Sequence, residues 1–559
     1  MLLDFPGGAR LYRDAREVVE ARAPGEVAAA LERLRGREAA GFLSYEAGHP
    51  LERKLAALER EPAEGDPPLL WFGLFDGWEA VDLNALPDPA GALAGGPVPL
   101  VERAAYLEQA ERVRAHILAG DVYQINLTFQ AEVAVAGHPL ALYRALKARA
   151  RAPWGGVVFT GSHWILSLSP ELFFTLDGSQ LTARPMKGTA PAGADPEALR
   201  GDPKQQAENL MIVDLIRNDL SRVSKPGTVA VPELFAVEQY PTVQQMTSTV
   251  VSQLEAGVDA VDVLLATFPC GSVTGAPKIR AMEIIAGLEA GPRGVYTGSI
   301  GALAPGGAAA FNVAIRTLTL TAGGGAARMG LGSGIVADSQ AADEWRECLA
   351  KGAFVEHRRS FDLIETMRFD PHEGLPDLER HLARMKRSAD AFGFLFDRHD
   401  ARNELQAATF ALRAPRKVRL MLGRSGAIAI EVRDMPEEAE EPVTVTLAPL
   451  PLDAEDFRLR HKTSDRRFYD EAREAADAFE VVFEGADGFL TEGSFTSLFV
   501  ERDGTLVTPP LERGLLPGIL RERLIDEGQA AEGDVRAEDL TGTFFIGNAV
   551  RGLIEARLA

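Results

Sequence analysis

Tyr106, Ala110, Val113 and Ile117 recur at intervals of three and four residues, which predicts a helix beginning near Arg103 and stopping at Gly120-Asp121. The block 122–135 then alternates and is rich in β-branched and aromatic residues, the pattern of a strand. A second helix is predicted over 202–223, with Leu210, Met211, Val213, Ile216, Leu220 and Val223 on its apolar side and Pro226-Gly227 ending it. Glu171-Leu172-Phe173-Phe174-Thr175-Leu176 reads as an apolar strand, and the glycine clusters near 305 and 324 read as hairpin loops. A helix over 339–359 runs almost directly into Phe361-Asp362-Leu363-Ile364-Glu365-Thr366-Met367-Arg368-Phe369, a strand pattern.

These alternations suggest four regions. Residues 1–100 mix short strands with a helix and end in a Pro/Gly-rich stretch, 86–99, that reads as a loop or linker. Residues 101–360 alternate long helices with β-rich pieces. An acidic run between Pro436 and Pro442 divides the remainder into a smaller lobe, 361–440, and a larger one, 441–559.

Composition narrows the class. A chain of 559 residues exceeds what one hydrophobic core serves, so several domains are expected. A net charge of -22 without a basic stripe argues against nucleic acid. Two cysteines, Cys270 and Cys348, make no disulfide framework and suit a reducing cytoplasm. No apolar run approaches membrane-spanning length, and the first residues lack the pattern of a signal peptide.

Two lysines carry the candidate chemistry. Lys187 lies in Arg184-Pro185-Met186-Lys187-Gly188-Thr189, where proline and glycine constrain the backbone and can aim the amine. A desolvated, aimed lysine is a nucleophile at neutral pH. Lys462 lies in Arg460-His461-Lys462-Thr463, thirty residues before Glu492, and a lysine with an acid on one aromatic cofactor suits pyridoxal phosphate. Alone, either lysine reads first as a solvated one. Glu344 and Glu347 are three apart on one helix face and Glu208 sits on another helix, a set of oxygens that suits Mg²⁺ rather than zinc. Gly271-Ser272-Val273-Thr274-Gly275-Ala276-Pro277-Lys278 and Gly332-Ser333-Gly334-Ile335 read as turns presenting N–H groups to an anion. Arg316 reads as an arginine within a strand.

The motifs Ser169-Pro170-Glu171, 184–189, 207–220, 274–283, Ile315-Arg316-Thr317 and 332–339 together resemble the chorismate-utilising enzymes in order and spacing. A lysine at 187, where anthranilate synthases have alanine, resembles the aminodeoxychorismate synthase subclass, as does Leu43-Ser44-Tyr45-Glu46-Ala47-Gly48. Gln245 stands where anthranilate synthases have histidine. Gln205 departs from the acid common in metal-dependent relatives. The resemblance implies Mg²⁺ on Glu208, Glu344 and Glu347, and substrate contacts from Arg316, Gly332, Ser333, Gly334, Thr189, Thr274 and Gly275. It implies Glu171 as the acid at the 4-hydroxyl and Lys187 as the nucleophile at ring C2. Neither cysteine sits in a glutaminase context, so ammonia would come from a separate glutaminase subunit or from solution.

Over 361–559, His381-Leu382-Ala383-Arg384-Met385, Arg460-His461-Lys462-Thr463, Thr491-Glu492-Gly493-Ser494, 514–521 and 547–552 resemble the fold-type IV pyridoxal-phosphate enzymes. That resemblance implies Lys462 and Glu492 on the cofactor. Its phosphate would be held by Arg384, the Ile519 and Leu520 amides and the Asn548-Ala549 turn, with Arg551 on a substrate carboxylate. Such relatives are usually dimers. Together the two halves imply an α+β protein, a β-sandwich with flanking helices followed by a two-lobed domain. They imply 4-aminobenzoate formation from chorismate by way of 4-amino-4-deoxychorismate. The rival expectations are an anthranilate synthase half, or a second half that is a branched-chain or D-amino-acid aminotransferase.

Overall fold

The computed structural model describes every residue except 192, 240–242, 357–359 and 477, and every side chain but those of 189, 191 and 243 besides. The chain divides into two compact units. The first comprises Met1–Leu86, Gly96–Val133 and Tyr143–His357, and the second Pro87–Gly95, Ala134–Leu142 and Arg358–Ala559. No helix among the described residues is long and apolar enough to cross a membrane.

The first unit is built on two ten-stranded sheets, antiparallel at every pairing among the described residues. One contains Gln124–Val133 between Gly275–Ala276 and Ala327–Ile335. The other carries Leu172–Asp177, Gln180–Arg184, Val243–Gln253 and Met186–Pro191 as neighbours. Alternation sends successive side chains to opposite faces, and Ala39–Leu43, Leu70–Leu74 and Ser299–Leu303 are buried on both. Leu3, Val158 and Ile165 of the first sheet pack against Phe42, Trp71 and Ile300 of the second. On the outer face of the second sheet, Phe72, Phe174 and Phe311 pack beneath the helices Val27–Glu32, Pro203–Ser221 and Ala260–Thr267. The result is a sandwich with helices outside, the expected α+β architecture.

Helix Arg103–Leu118 and strand Gln124–Val133 follow the periodicity, as do the hairpins around 305 and 324. The long helix begins at Pro203, where the Asp202 carboxylate accepts from the Lys204 and Gln205 amides. It ends at Ser221, before Pro226, and buries Ile212, Val213, Ile216 and Leu220, while Leu210 is 45% exposed and not part of the apolar face. The last helix of this half spans only Ala341–Gly352.

The second unit has two parts. A three-stranded antiparallel sheet, Leu363–Phe369, Arg416–Leu422 and Ile428–Asp434, packs under helices Leu378–Phe392 and Arg398–Thr409. Beyond the acidic run comes an eight-stranded sheet. Six of its strands close on themselves, because Leu490–Gly493 pairs with both Glu480–Glu484 and Ser497–Arg502. Closure leaves that ring without free edges, and Val445, Val482, Leu498, Ile546 and Ile554 contribute to one core. The 86–99 stretch is more than a linker. Leu93–Ala94 pairs with Val135–Ala136, and Leu93 is buried in the second unit's core with Phe361, Met367 and Phe457.

Candidate active sites

Lys187 lies in strand Met186–Pro191 rather than in a loop, at a break in its register against Val243–Gln253 between Met186 and Thr189. A bulge re-aims side chains. Gly188 takes φ +98°, and a Cβ there would meet Gln205 Oε1 and the Met246 Cβ at 3.1 Å. Asn209, buried on helix Pro203–Ser221, donates to the Lys187 carbonyl at 3.2 Å and accepts from Ser248 Oγ at 2.6 Å. The lysine is thereby turned toward Gly334, with its Nζ in the space a Gly334 Cβ would fill. Burial lowers the Lys187 pKa, helped by the charge of Lys351 and opposed by Glu208, Glu347 and Glu344.

Glu171 sits just before strand Leu172–Asp177. Its N–H donates to Ser169 Oγ at 3.1 Å, and that hydroxyl donates to the Val313 carbonyl at 2.6 Å. Its own Oε1 is buried without a hydrogen-bond partner. Burial pushes the carboxyl up to about 7, with Ser272 and Lys187 working the other way. The site therefore pairs a depressed amine with a raised acid, the combination expected of a nucleophile and a general acid.

The expected substrate contacts divide. Gly332 and Gly334 belong to strand Ala327–Ile335, not to a turn, and pair with Thr128 and Asn126. Alternation sends Ser333 to the opposite face, where its Oγ lies 3.0 Å from the Tyr106 hydroxyl. Ser333 therefore offers its side chain away from Lys187. Thr274 is buried, its hydroxyl donating to the Gly271 carbonyl at 3.0 Å within the turn. Gly275 packs on the backbone of Gln124 and pairs with Ile125. Lys278, which ends that turn, pairs with Asp219 at 2.5 Å. Arg316 precedes strand Thr317–Thr321 in a left-handed conformation, φ +52°, with its guanidinium 5.7 Å from the centre of the Phe354 ring. The Thr189 side chain lies outside the described residues.

The three carboxylates sense one another. Burial raises the Glu208 pKa against the pull of Lys187 and Lys204, and Glu344 and Glu347 raise it further. Glu344 accepts from Ser339 Oγ at 2.6 Å. Burial would raise Glu347 too, but Lys351 at 2.7 Å holds it below its usual value. Among the described residues no three acidic, imidazole or thiol groups stand close enough to form a metal-ligating cluster. The oxygen-only donor set and the mutual repulsion fit a hard cation in chemistry.

Gln124 escaped the sequence reading. It is fully buried, both atoms of its amide lack a hydrogen-bond partner, and its Nε2 would stand 3.0 Å from a Gly334 Cβ. Lys351, which donates to the Gly332 carbonyl at 3.1 Å, is a second such residue.

In the second unit a cavity of ≈480 Å³ gathers Lys462, Glu492, Arg384, Ile519, Leu520, Asn548, Ala549 and Arg551 in its lining. The Lys462 carbonyl accepts from the Ile364 amide at 2.9 Å, which fastens it to the edge of the three-stranded sheet. Burial, reinforced by the charge of Arg384, brings the Lys462 amine down to about 7. Glu492 is buried in strand Leu490–Gly493. Burial raises it to about 7, although the Tyr469 hydroxyl donates to it at 2.5 Å. Arg384 lies on helix Leu378–Phe392 and donates to Glu365 at 2.8 and 2.6 Å and to the Pro517 carbonyl at 2.8 Å. It is thereby held beside Gly518, the N-cap of helix Ile519–Asp526. The first N–H groups of that helix have no intrahelical acceptor. The Leu520 side chain turns into an apolar cluster with Phe499 and Leu524, leaving only its amide for a ligand. Asn548 Oδ1 accepts from the Val550 and Arg551 amides at 2.9 and 3.0 Å and so shapes the turn. Arg551 donates to the Glu437 carbonyl at 2.8 Å. A lysine and an acid in one cavity, with open helix amides beside an arginine, fit pyridoxal phosphate.

Comparison with known proteins gives each half of the chain a family. The family model for chorismate binding enzymes matches residues 8–357, and that for amino-transferase class IV matches 362–558. Aminodeoxychorismate synthase component 1 of Klebsiella aerogenes is 39% identical over 351 residues, covering 57% of this chain and 76% of that protein. Anthranilate synthase component 1 of Streptomyces coelicolor is 42% identical over 256 residues, covering 44% of this chain and 50% of its own length. The crystal structure of anthranilate synthase component I from Streptococcus pneumoniae TIGR4 superposes with a TM-score of 0.54 at 25% identity, covering 64% of this chain and 94% of that one. Residues 8–357 thus place the chain among the chorismate binding enzymes, and residues 362–558 add an amino-transferase class IV domain to it.

Proposed function

We propose that this chain makes 4-aminobenzoate in two steps, from chorismate and ammonia to 4-amino-4-deoxychorismate and then, with release of pyruvate, to the aromatic product. The observation that carries the reading is the pairing in one site of Lys187, its amine depressed, with Glu171, its carboxyl raised to about 7. The neutral Lys187 Nζ adds at ring C2 while Glu171 gives its proton to the departing 4-hydroxyl, which leaves as water. Ammonia then adds at C4, the ring double bond returns, and the C2–N bond to Lys187 breaks. Glu208, Glu344 and Glu347 would hold Mg²⁺, which would neutralise a substrate carboxylate. Cys270 is buried, with its thiol pushed up to about 12, and makes a poor glutaminase nucleophile. Ammonia would come from a separate glutaminase subunit or from solution.

In the second unit, bound pyridoxal phosphate supplies an electron sink for the carbon bearing the amine. Lys462 Nζ takes the proton from that carbon, and enolpyruvate departs and becomes pyruvate. An amine near 7 can both accept and return a proton at neutral pH. Glu492 would hold the cofactor's ring nitrogen, and Arg384 with the Ile519 and Leu520 amides would hold its phosphate. A homodimer through this half, in the cytoplasm, completes the proposal.

Product identification tests the reading. Purified protein is incubated with chorismate, ammonium, Mg²⁺ and pyridoxal phosphate, and the products are separated with mass detection. 4-Aminobenzoate and pyruvate are expected from the parent chain, the amino intermediate alone from Lys462→Ala, and neither amino product from Lys187→Ala. Anthranilate would return the first half to the rival reading, which the similarity to anthranilate synthases makes the necessary comparison.

A further inference from the structure

The second unit's cavity holds more positive charge than the steps above use. Lys417 and Arg419 stand two apart on strand Arg416–Leu422 and line the cavity with Lys462 and Arg551. Residues i and i+2 of a strand share a face, roughly 7 Å apart along it. Lys417 lies opposite Arg368 and Arg433, and Arg419 opposite Thr366 and Glu431. Glu431, the one acid in that set, is engaged by Arg433 Nε at 2.8 Å. Among the described residues neither Lys417 nor Arg419 has a hydrogen-bonded acid, and Arg419 Nε is buried without any acceptor. An unpaired buried guanidinium N–H is costly in a finished site and ordinary in one that awaits a ligand.

The cations also crowd one another. Burial lowers the Lys417 pKa, and Arg419, Arg433 and Arg551 lower it further. The charge of Arg419 reaches Lys462 as well. Positive charge thus runs from the reactive lysine through Arg419 to Lys417 and Arg551. The cofactor phosphate has its own place at the start of helix Ile519–Asp526, beside Arg384. That leaves the cations of the strand for the substrate.

We propose that Lys417 and Arg419 form a carboxylate clamp that makes the second half select amines carrying two carboxylates. The clamp rests on the reading of that half as acting on 4-amino-4-deoxychorismate, whose ring carboxylate and enolpyruvyl carboxylate are separated enough to meet two cations on one strand face. A branched-chain amine has a single carboxylate and leaves one of the two unpaired.

The test uses the full chain loaded with pyridoxal phosphate. Benzene-1,3-dicarboxylate and benzoate are titrated while the cofactor's visible absorption is followed, which reports this cavity and not the first unit. The parent chain is expected to bind the dicarboxylate at least about tenfold more tightly. Lys417→Gln or Arg419→Gln should weaken it about ten- to a hundredfold, the worth of a charge-assisted hydrogen bond, with benzoate affected less. Lys417→Arg should recover most of the loss, and in both glutamine variants KM for the amino substrate should rise more than kcat falls. Equal binding of the two probes by the parent chain, or variants within twofold of it, would overturn the clamp. Should a variant fold poorly, the parent's preference between probes and its decline with salt decide the matter. A parent chain that prefers the dicarboxylate but releases no pyruvate refutes the reaction and supports the clamp. One that releases pyruvate without the preference refutes the clamp alone.

Discussion

The Lys187 Nζ lies at Gly334, in the volume that any side chain at 334 would claim. The two residues come from different sheets, so this contact holds the lysine against the floor of the site. Gly334→Ala is expected to fold, because the displaced group is the free end of a flexible side chain. It should nevertheless move the amine, and an ångström of misplacement costs on the order of a hundredfold. Formation of the amino product should fall by about that factor in kcat, with an unchanged unfolding midpoint. Parental turnover in this variant would show that the lysine does not act from its observed position.

Glu171 sets the alkaline limit of the first step. Its pKa is raised to about 7, so its proton is present below that pH and lost as pH rises through it. Burial lowers the Lys187 pKa from the ordinary amine range, so its neutral form is available at lower pH than that of a free lysine. The rate of amino-product formation should pass through a maximum and fall above about 7. Glu171→Gln should lower the rate by about 10²–10⁴-fold and remove the falling limb. A parent profile still rising at pH 9 would exclude Glu171 as the acid.

The Tyr469 hydroxyl tunes the second site through its hydrogen bond to Glu492. That bond favours the carboxylate, so Tyr469→Phe should raise the Glu492 pKa above its present value of about 7. A pH profile of pyruvate release from the amino intermediate should then show its acid limb displaced to higher pH. An unmoved limb would mean that Glu492 does not titrate in the step measured.

The core of the second unit borrows Leu93 from sequence that precedes it by hundreds of residues. Leu93→Ala removes a buried side chain and should cost about 2–5 kcal/mol. The loss should appear as an earlier thermal transition followed by the cofactor signal. Residues 358–559 expressed alone should be less stable than the same residues in the whole chain. Equal midpoints would show that Leu93 contributes little there.

Much of the site was legible because local chemistry announces it. Lys187 and Lys462 stand in motifs whose neighbours define their context. Gln124 was not legible. Alternation puts it with Asn126, Thr128 and Gln130 on the polar side of its strand, ordinarily the solvated one. The fold covers that end of the strand, so Gln124 alone of the four is entirely enclosed with both amide atoms unpartnered. The Gly332–Gly334 segment misleads in the opposite sense. Glycine disfavours strands, yet these glycines are demanded by close neighbours: Thr128 at Gly332 and Lys187 at Gly334.

Periodicity and residue type along the chain already carry the sheets and helices, the turns that end them, and the marks of two sites. Those properties depend on neighbours within a few positions. Which side chains lose their water, which cations stand unpaired, and that Leu93 belongs to the second core follow from the folded arrangement. Desolvation depends on what distant segments bring over a group. It is burial that draws Glu171 up and Lys462 down toward the same neutral pH.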